Sequence, residues 1–273
     1  MRADDVRSNE PIRYGAYLCL HVPAGALDAV AGADVPALAE RLELRSEFEP
    51  GNGDPPRAIA YLRRIGATPG TPGDMADDGL LHAGAVVHVA AETSAPVAEL
   101  CAGLACLLGP EIDLQILSGV VRPTLYTGNL MHNLAYAHRV LQQPGTVMPN
   151  AFLLPTKKSA EWWTKDWMER HTYFLPRYDE SGRKASDGHA LTAAAGVDSL
   201  MRRTYKNLTE PAPAGEYDFI NYFECADADV PVFHEVRGAL RDVARNPEWK
   251  FVREGPTWHG RRVAAWADLF RAG

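Results

Sequence analysis

Between Lys157 and Phe174 the chain reads KKSAEWWTKDWMERHTYF, which sets three tryptophans and a histidine in one run of helix-forming residues. At 3.6 residues per turn, Trp163, Trp167, His171 and Phe174 share one side, while Lys165, Asp166 and Glu169 point largely elsewhere. His171 then faces an apolar interior. An unpaired buried imidazole costs about 1–3 kcal/mol, so this ring calls for a backbone carbonyl, a carboxylate or a metal. The pattern alone leaves those three partners open.

Other chemistries leave no mark. Cys19, Cys101, Cys106 and Cys225 are scattered, without CxxC spacing or a CxxCH, and read as buried free thiols. There is no GxGxxG, GxxxxGK[ST], GxSxG or HExxH. The 28 basic and 35 acidic residues give a net charge of −7 with no basic run, which argues against a nucleic-acid surface and asks any anionic substrate for a local positive pocket. No uncharged apolar run approaches the roughly 20 residues that span a bilayer, and the first residues, MRADDVRSNEPIRYG, have no apolar leader segment. As written the chain reads as cytoplasmic, or periplasmic if a leader has been removed, with no membrane partner.

The elements that must position these groups come in two similar rounds. In the first, 14–22, 56–65, 83–92 and 111–121 read as strands, and 35–44 and 94–109 as helices, the latter with Ser94 as N-cap. The segment 131–147 is ambiguous. The second round opens with a strand at 150–155, the tryptophan helix, a strand at 217–225, a helix at 230–245 and a strand at 249–255. The expected class is α+β: two ferredoxin-like halves, 1–130 and 150–273, joined by a linker at 131–149. The polar stretch 176–196 interrupts the second half and reads as a solvated loop, or as a lid or contact arm.

The succession LLPTKKSAEWW, MERH, RRTY and YDFINYFE makes the second half resemble the chlorite dismutase family of haem proteins, related to coproheme decarboxylases and dye-decolourising peroxidases. VVRPTLYTG (120–128) extends the resemblance weakly into the first half. It implies a dimeric α+β barrel type of subunit whose C-terminal half carries non-covalent haem b, with His171 as the proximal iron ligand. It further implies that Glu248 accepts the other ring N–H of that histidine, and that Trp162 and Trp163 pack against the porphyrin. Tyr126 falls near the haem, and Lys157 with Lys158 near its propionates.

On the distal side the resemblance aligns Arg202 over the iron, with Arg203 as the fallback. A guanidinium suits a small anion, being always charged and carrying its donors in a planar fork. Coproheme decarboxylases carry a catalytic tyrosine where this chain has Leu154, and typically Gln or His at the distal position. The implied activity is therefore decomposition of chlorite to chloride and O2, with a haem peroxidase as the alternative and a haem carrier or sensor as the non-enzymatic one. The resemblance also implies a homo-oligomer, pentameric rather than dimeric.

Overall fold

The computed structural model describes residues 13–46, 56–71, 79–121 and 148–271. The ambiguous 131–147 and Tyr126 lie outside that set. In the first half, β1 (Arg13–His21), β2 (Arg45–Ser46), β3 (Arg57–Thr68), β4 (Ala85–Ala91) and β5 (Asp113–Val121) alternate with α1 (Leu27–Ala31), α2 (Val35–Arg41), α3 (Gly79–His82) and α4 (Ser94–Leu108). The second half runs β6 (Asn150–Lys158), α5 (Ala160–Thr164), α6 (Trp167–Thr172), β7 (Arg177–Tyr178), β8 (Lys184–Ser186), α7 (Gly188–Thr192), β9 (Met201–Lys206), β10 (Phe219–Cys225), α8 (Val230–Arg241), β11 (Val252–Glu254) and β12 (Thr257–Val263).

Eight antiparallel strands follow one another in space as β10, β9, β5, β1, β4, β3, β12 and β6, and β6 pairs back to β10. The sheet is thereby a closed barrel, which removes its two open edges. In each half the four barrel strands lie in the order fourth, first, third, second.

Alternation decides what lies on each side of the wall. On β1, Tyr17 and Cys19 point into the barrel, while Ala16, Leu18 and Leu20 lie under the helices of the first half; β4 divides Val86 from Val87 and Val89 in the same way. These strands read as continuous apolar runs because both faces are buried. Outside, α4 contributes Val97, Leu100 and Leu104, spaced by three and four residues, and α2 contributes Val35 and Leu38, with Leu42 at its C-cap. Asp34 caps α2 by accepting from the Ala37 N–H at 3.2 Å. Each such buried aliphatic side chain contributes about 1.5–3 kcal/mol. On the second half, α8 lays Phe233, Val236 and Leu240 over Phe152, whose ring stacks on Phe233 at 3.8 Å.

The barrel interior is aromatic and partly polar, and several of its polar groups are paired. The indole of Trp258 donates to the Ala83 carbonyl at 2.9 Å, His88 Nε2 lies 2.8 Å from the Tyr205 hydroxyl, and Arg262 pairs with Glu224, which also accepts from Tyr222. Tyr205 lies across β1 at Gly15, where a Cβ would stand 2.3 Å from its ring.

Several expectations change. The tryptophan run is two short helices, broken at Lys165 because Asp166 caps the second by accepting from the Glu169 N–H at 2.8 Å. The break puts Trp163 on a different helix from Trp167 and His171; those two stay four apart on α6, on a side that is not buried, with Trp167 49% exposed and His171 half-buried. Helix α4 is capped at Thr93, one residue before Ser94. Of the cysteines, Cys19 and Cys225 are buried, whereas Cys101 is half-buried and Cys106 exposed. The stretch 176–196 is a β7–β8 hairpin followed by α7. Among the described residues no helix is long and apolar enough to cross a membrane.

Because Gly15 leaves no room beside Tyr205, Gly15→Val is expected to lower the urea midpoint of unfolding by the equivalent of about 1–3 kcal/mol or more, the cost of overpacking a filled interior.

Candidate functional site

On β6, Phe152, Leu154, Thr156 and Lys158 alternate to the outer wall, while Ala151 and Leu153 fill the barrel. Of the adjacent lysines, only Lys158 therefore points to the outer wall. Lys157 is spent elsewhere: its ammonium donates to the carbonyls of Ala212, Pro213 and Glu216 at 3.3, 2.7 and 2.6 Å, which ties down the loop before β10. The expected approach of Lys157 to a propionate gives way to this structural clamp.

Lys158 is buried and ion-paired to the buried carboxylate of Glu248. Glu248 stands on the 3-10 turn Pro247–Phe251, fixed to the end of α8 by the buried Asn246, whose side chain donates to the Leu240 carbonyl at 2.9 Å. Its other oxygen lies 2.8 Å from Nδ1 of His189. The predicted partner was His171, so the structure replaces the expected Glu248–His171 bond with Glu248–His189. His171 instead lies half-buried on α6, its Nδ1 buried without a hydrogen-bond partner.

Burial raises the pKa of Glu248, but the charges of Lys158 and His189 and the bonds they donate outweigh it, holding the carboxyl at about 2. Burial likewise pushes the Lys158 ammonium down, against the pull of Glu248. An ionised carboxylate only accepts, so the proton on the His189 ring belongs on Nδ1, and Nε2 is the nitrogen a metal would take.

The segment carrying His189 is held on three sides. The amides of Asp187 and Gly188 donate to the Arg245 carbonyl at 2.9 and 3.0 Å, and those of His189 and Ala190 to Tyr173 and Phe174 at 3.1 and 3.2 Å. Asp187 is also paired with Lys184 and Arg245. Gly188 has φ +67°, and a Cβ there would stand 2.3 Å from the Leu175 carbonyl oxygen. The Asp-Gly pair just before His189 was the sequence signal for this constrained turn, hidden inside a stretch read as loop.

Arg202 and Arg203 separate by the same alternation. Arg203 pairs across the sheet with Tyr222, a barrel-interior residue, whereas Arg202 pairs with Phe223 and lies on the outer wall. Arg202 donates from Nε to Thr204 at 3.2 Å and sits 3.5 Å from Asn221 Oδ1; Asn221 in turn donates to the Leu154 carbonyl at 3.1 Å. Its charge is near enough to Lys158 to lower that ammonium's pKa. The site thus brings Lys158, Glu248, His189 and Arg202 to one wall.

Trp162 is fully buried with Tyr173, Phe174 and Phe251, and Lys158 lies 4.3 Å over its ring. Trp163 is half-buried, stacked 6.4 Å from Phe219 on the outer wall beside Arg170. Both indole N–H groups are buried without a protein acceptor. Among the described residues, no group of three or more His, Cys, Asp or Glu side chains could hold a bare metal ion.

A closed α+β barrel with a charged chain on its outer wall is the class that these observations define. No family model matches the sequence, and no curated protein matches it. Among solved structures the chain is similar to chlorite dismutase from Candidatus Nitrospira defluvii: a tryptophan-to-phenylalanine variant in complex with cyanide has 19% identity and a TM-score of 0.64, over 96% of this chain and 95% of that one. The imidazole complex of the same protein has 19% identity and a TM-score of 0.63 over the same shares. An arginine-to-glutamate variant has 18% identity and a TM-score of 0.64, over 98% of both chains. The chain is built on the chlorite dismutase fold.

Removing one partner of the buried pair strands the other charge, so Glu248→Ala is expected to lose about 3–5 kcal/mol in urea unfolding. The ordinary carboxyl value is 4.5 and the folded one about 2. Glu248 therefore contributes stability that is complete above pH 4.5 and lost as pH falls through 2. Over that window the unfolding midpoint is expected to fall less steeply in Glu248→Gln than in the parent chain.

Proposed function

We propose that this chain is a haem enzyme of the chlorite dismutase family that converts chlorite to chloride and O2, with His189 rather than His171 as the protein ligand of the iron. The observation that carries this reading is the buried Lys158–Glu248–His189 chain on the same barrel wall as Arg202. The spatial order of the strands supports two ferredoxin-like halves, with haem b held against the second. A single imidazole suits a metal whose equatorial ligands come from a macrocycle, which agrees with the lack of a bare-metal cluster among the described residues. The unsatisfied indoles of Trp162 and Trp163 and the unsatisfied Nδ1 of His171 border the same aromatic cluster and suit a bound group with polar edges.

Bound haem would supply the iron at which Cl–O cleavage and O–O formation occur. The residues do the rest. His189 would hold the iron through Nε2, while Glu248 fixes the ring's orientation and raises its basicity. Lys158 keeps Glu248 ionised. Arg202, restrained by Thr204 and Asn221, would bind the oxychlorine anion by charge-assisted hydrogen bonds and hold it in the pocket. Stacked Trp163 and Phe219 would keep water from that side of the site. Solved variants of that chlorite dismutase, a tryptophan-to-tyrosine, arginine-to-glutamine double variant among them, alter two adjacent tryptophans and one arginine, residue types that Trp162, Trp163 and Arg202 supply here.

A peroxidase on the same site is the second reading, because the neutral Asn221 and Thr204 beside Arg202 could also bind a peroxide.

With haem added, the parent chain is expected to give a Soret band and to evolve close to one O2 per chlorite at an oxygen electrode. His189→Ala should lose the parent Soret band, and His171→Ala should keep it. Arg202→Ala should keep haem and lose most of the O2 yield, whereas Arg203→Ala should retain it. Haem binding with peroxide turnover but no O2 would transfer the site to the second reading.

A further inference from the structure

A second concave region, of about 610 Å³, opens where the ends of β1, β3 and β12 meet α3 and the last described residues. Its lining shares nothing with the His189 site. Arg63, Arg64, Arg261 and Arg271 converge on it together with His21 and His82, and among the described residues no Asp or Glu lines it. That is unexpected in a chain of net charge −7.

Two of these charges are already answered. Arg261 makes a two-point pair with Asp227 at 2.8 and 3.1 Å, and Arg271 pairs with Asp268 at 2.7 Å. Arg63 and Arg64 have no carboxylate partner among the described residues. They donate to main-chain carbonyls, Arg63 to that of Arg271 at 3.2 Å and Arg64 to that of Ala83 at 3.4 Å. Consecutive residues on a regular strand point to opposite faces. Here β3 pairs Gly66 with His259 and Arg64 with Gly260, so Ile65 is an extra residue that follows the two arginines; Arg63 and Arg64 leave opposite faces of β3, and both reach the cleft at the end of the strand, beside Ile65. Ile65 is 53% exposed, and with Leu269 and Phe270 it gives the cleft an apolar part beside the cations.

We propose that this cleft binds an organic dianion with an apolar body, the class exemplified by aryl phosphate monoesters. Two uncompensated guanidiniums match two negative charges through charge-assisted bonds, and the apolar surface receives the body. The site is independent of any haem.

The test is calorimetric titration of the full chain with 1-naphthyl phosphate, alongside inorganic phosphate and 1-naphthol. Saturable binding is expected, weakened roughly tenfold or more in Arg63→Gln/Arg64→Gln, as loss of bonds to charged groups implies, and unchanged in His189→Ala. Should the double variant unfold, Arg64→Glu at its exposed position must give the same loss. The proposal is overturned if the phosphate ester does not bind, if the arginine variants bind it as the parent does, or if naphthol or inorganic phosphate binds equally well.

Discussion

A carboxylate buried at 3% exposure is the constraint on which the rest of the site depends. Glu248 in isolation would be strongly unfavourable there, and two groups make it tenable: the ammonium of Lys158 and the ring N–H of His189. Each demands its own placement. Lys158 must alternate outward at the end of β6, His189 must follow a glycine in a left-handed turn, and Glu248 must sit on a turn anchored by Asn246. Three segments far apart in sequence are thus fixed to one another by a single desolvated charge.

The pleat of the barrel makes the finer choices for KK and RR, and the turn of helix α5 makes them for WW. KK, WW and RR each offer two identical neighbours, and in each the structure gives the two side chains different surroundings. Lys158 goes to the wall and Lys157 to loop carbonyls; Arg202 goes to the wall and Arg203 to the interior side; Trp162 goes to the buried cluster and Trp163 to Phe219. A one-residue slip in β6 or β9 would exchange the partners and dismantle the site.

Much of this was legible in the sequence. Strands with both faces apolar, such as β1 and β4, and helices with regular spacing, such as α4 and α8, declare themselves through burial. Strand β9, MRRTYK, was hidden by its cations, and β12, TWHGRRV, by a central glycine and two arginines, because their side chains are set by partners across the barrel rather than by local periodicity. The tryptophan run misled for a related reason: Asp166 restarts the helix, so Trp163 is out of register with Trp167 and His171, and Trp167 lies exposed. His189 could not be singled out by pattern, since its partner lies 59 residues away in sequence. Motif succession pointed to Glu248, both tryptophans and Arg202, yet paired the carboxylate with His171, where the structure pairs it with His189.

The most direct measurement of the central claim is the iron–histidine stretching frequency of the ferrous, haem-loaded protein by resonance Raman spectroscopy, in the parent and in Glu248→Gln. An acceptor with full negative charge strengthens the iron–imidazole bond, and a neutral amide does so less. If His189 holds the iron under the control of Glu248, the frequency falls in the variant. An unchanged frequency in Glu248→Gln, with haem retained, would contradict the account.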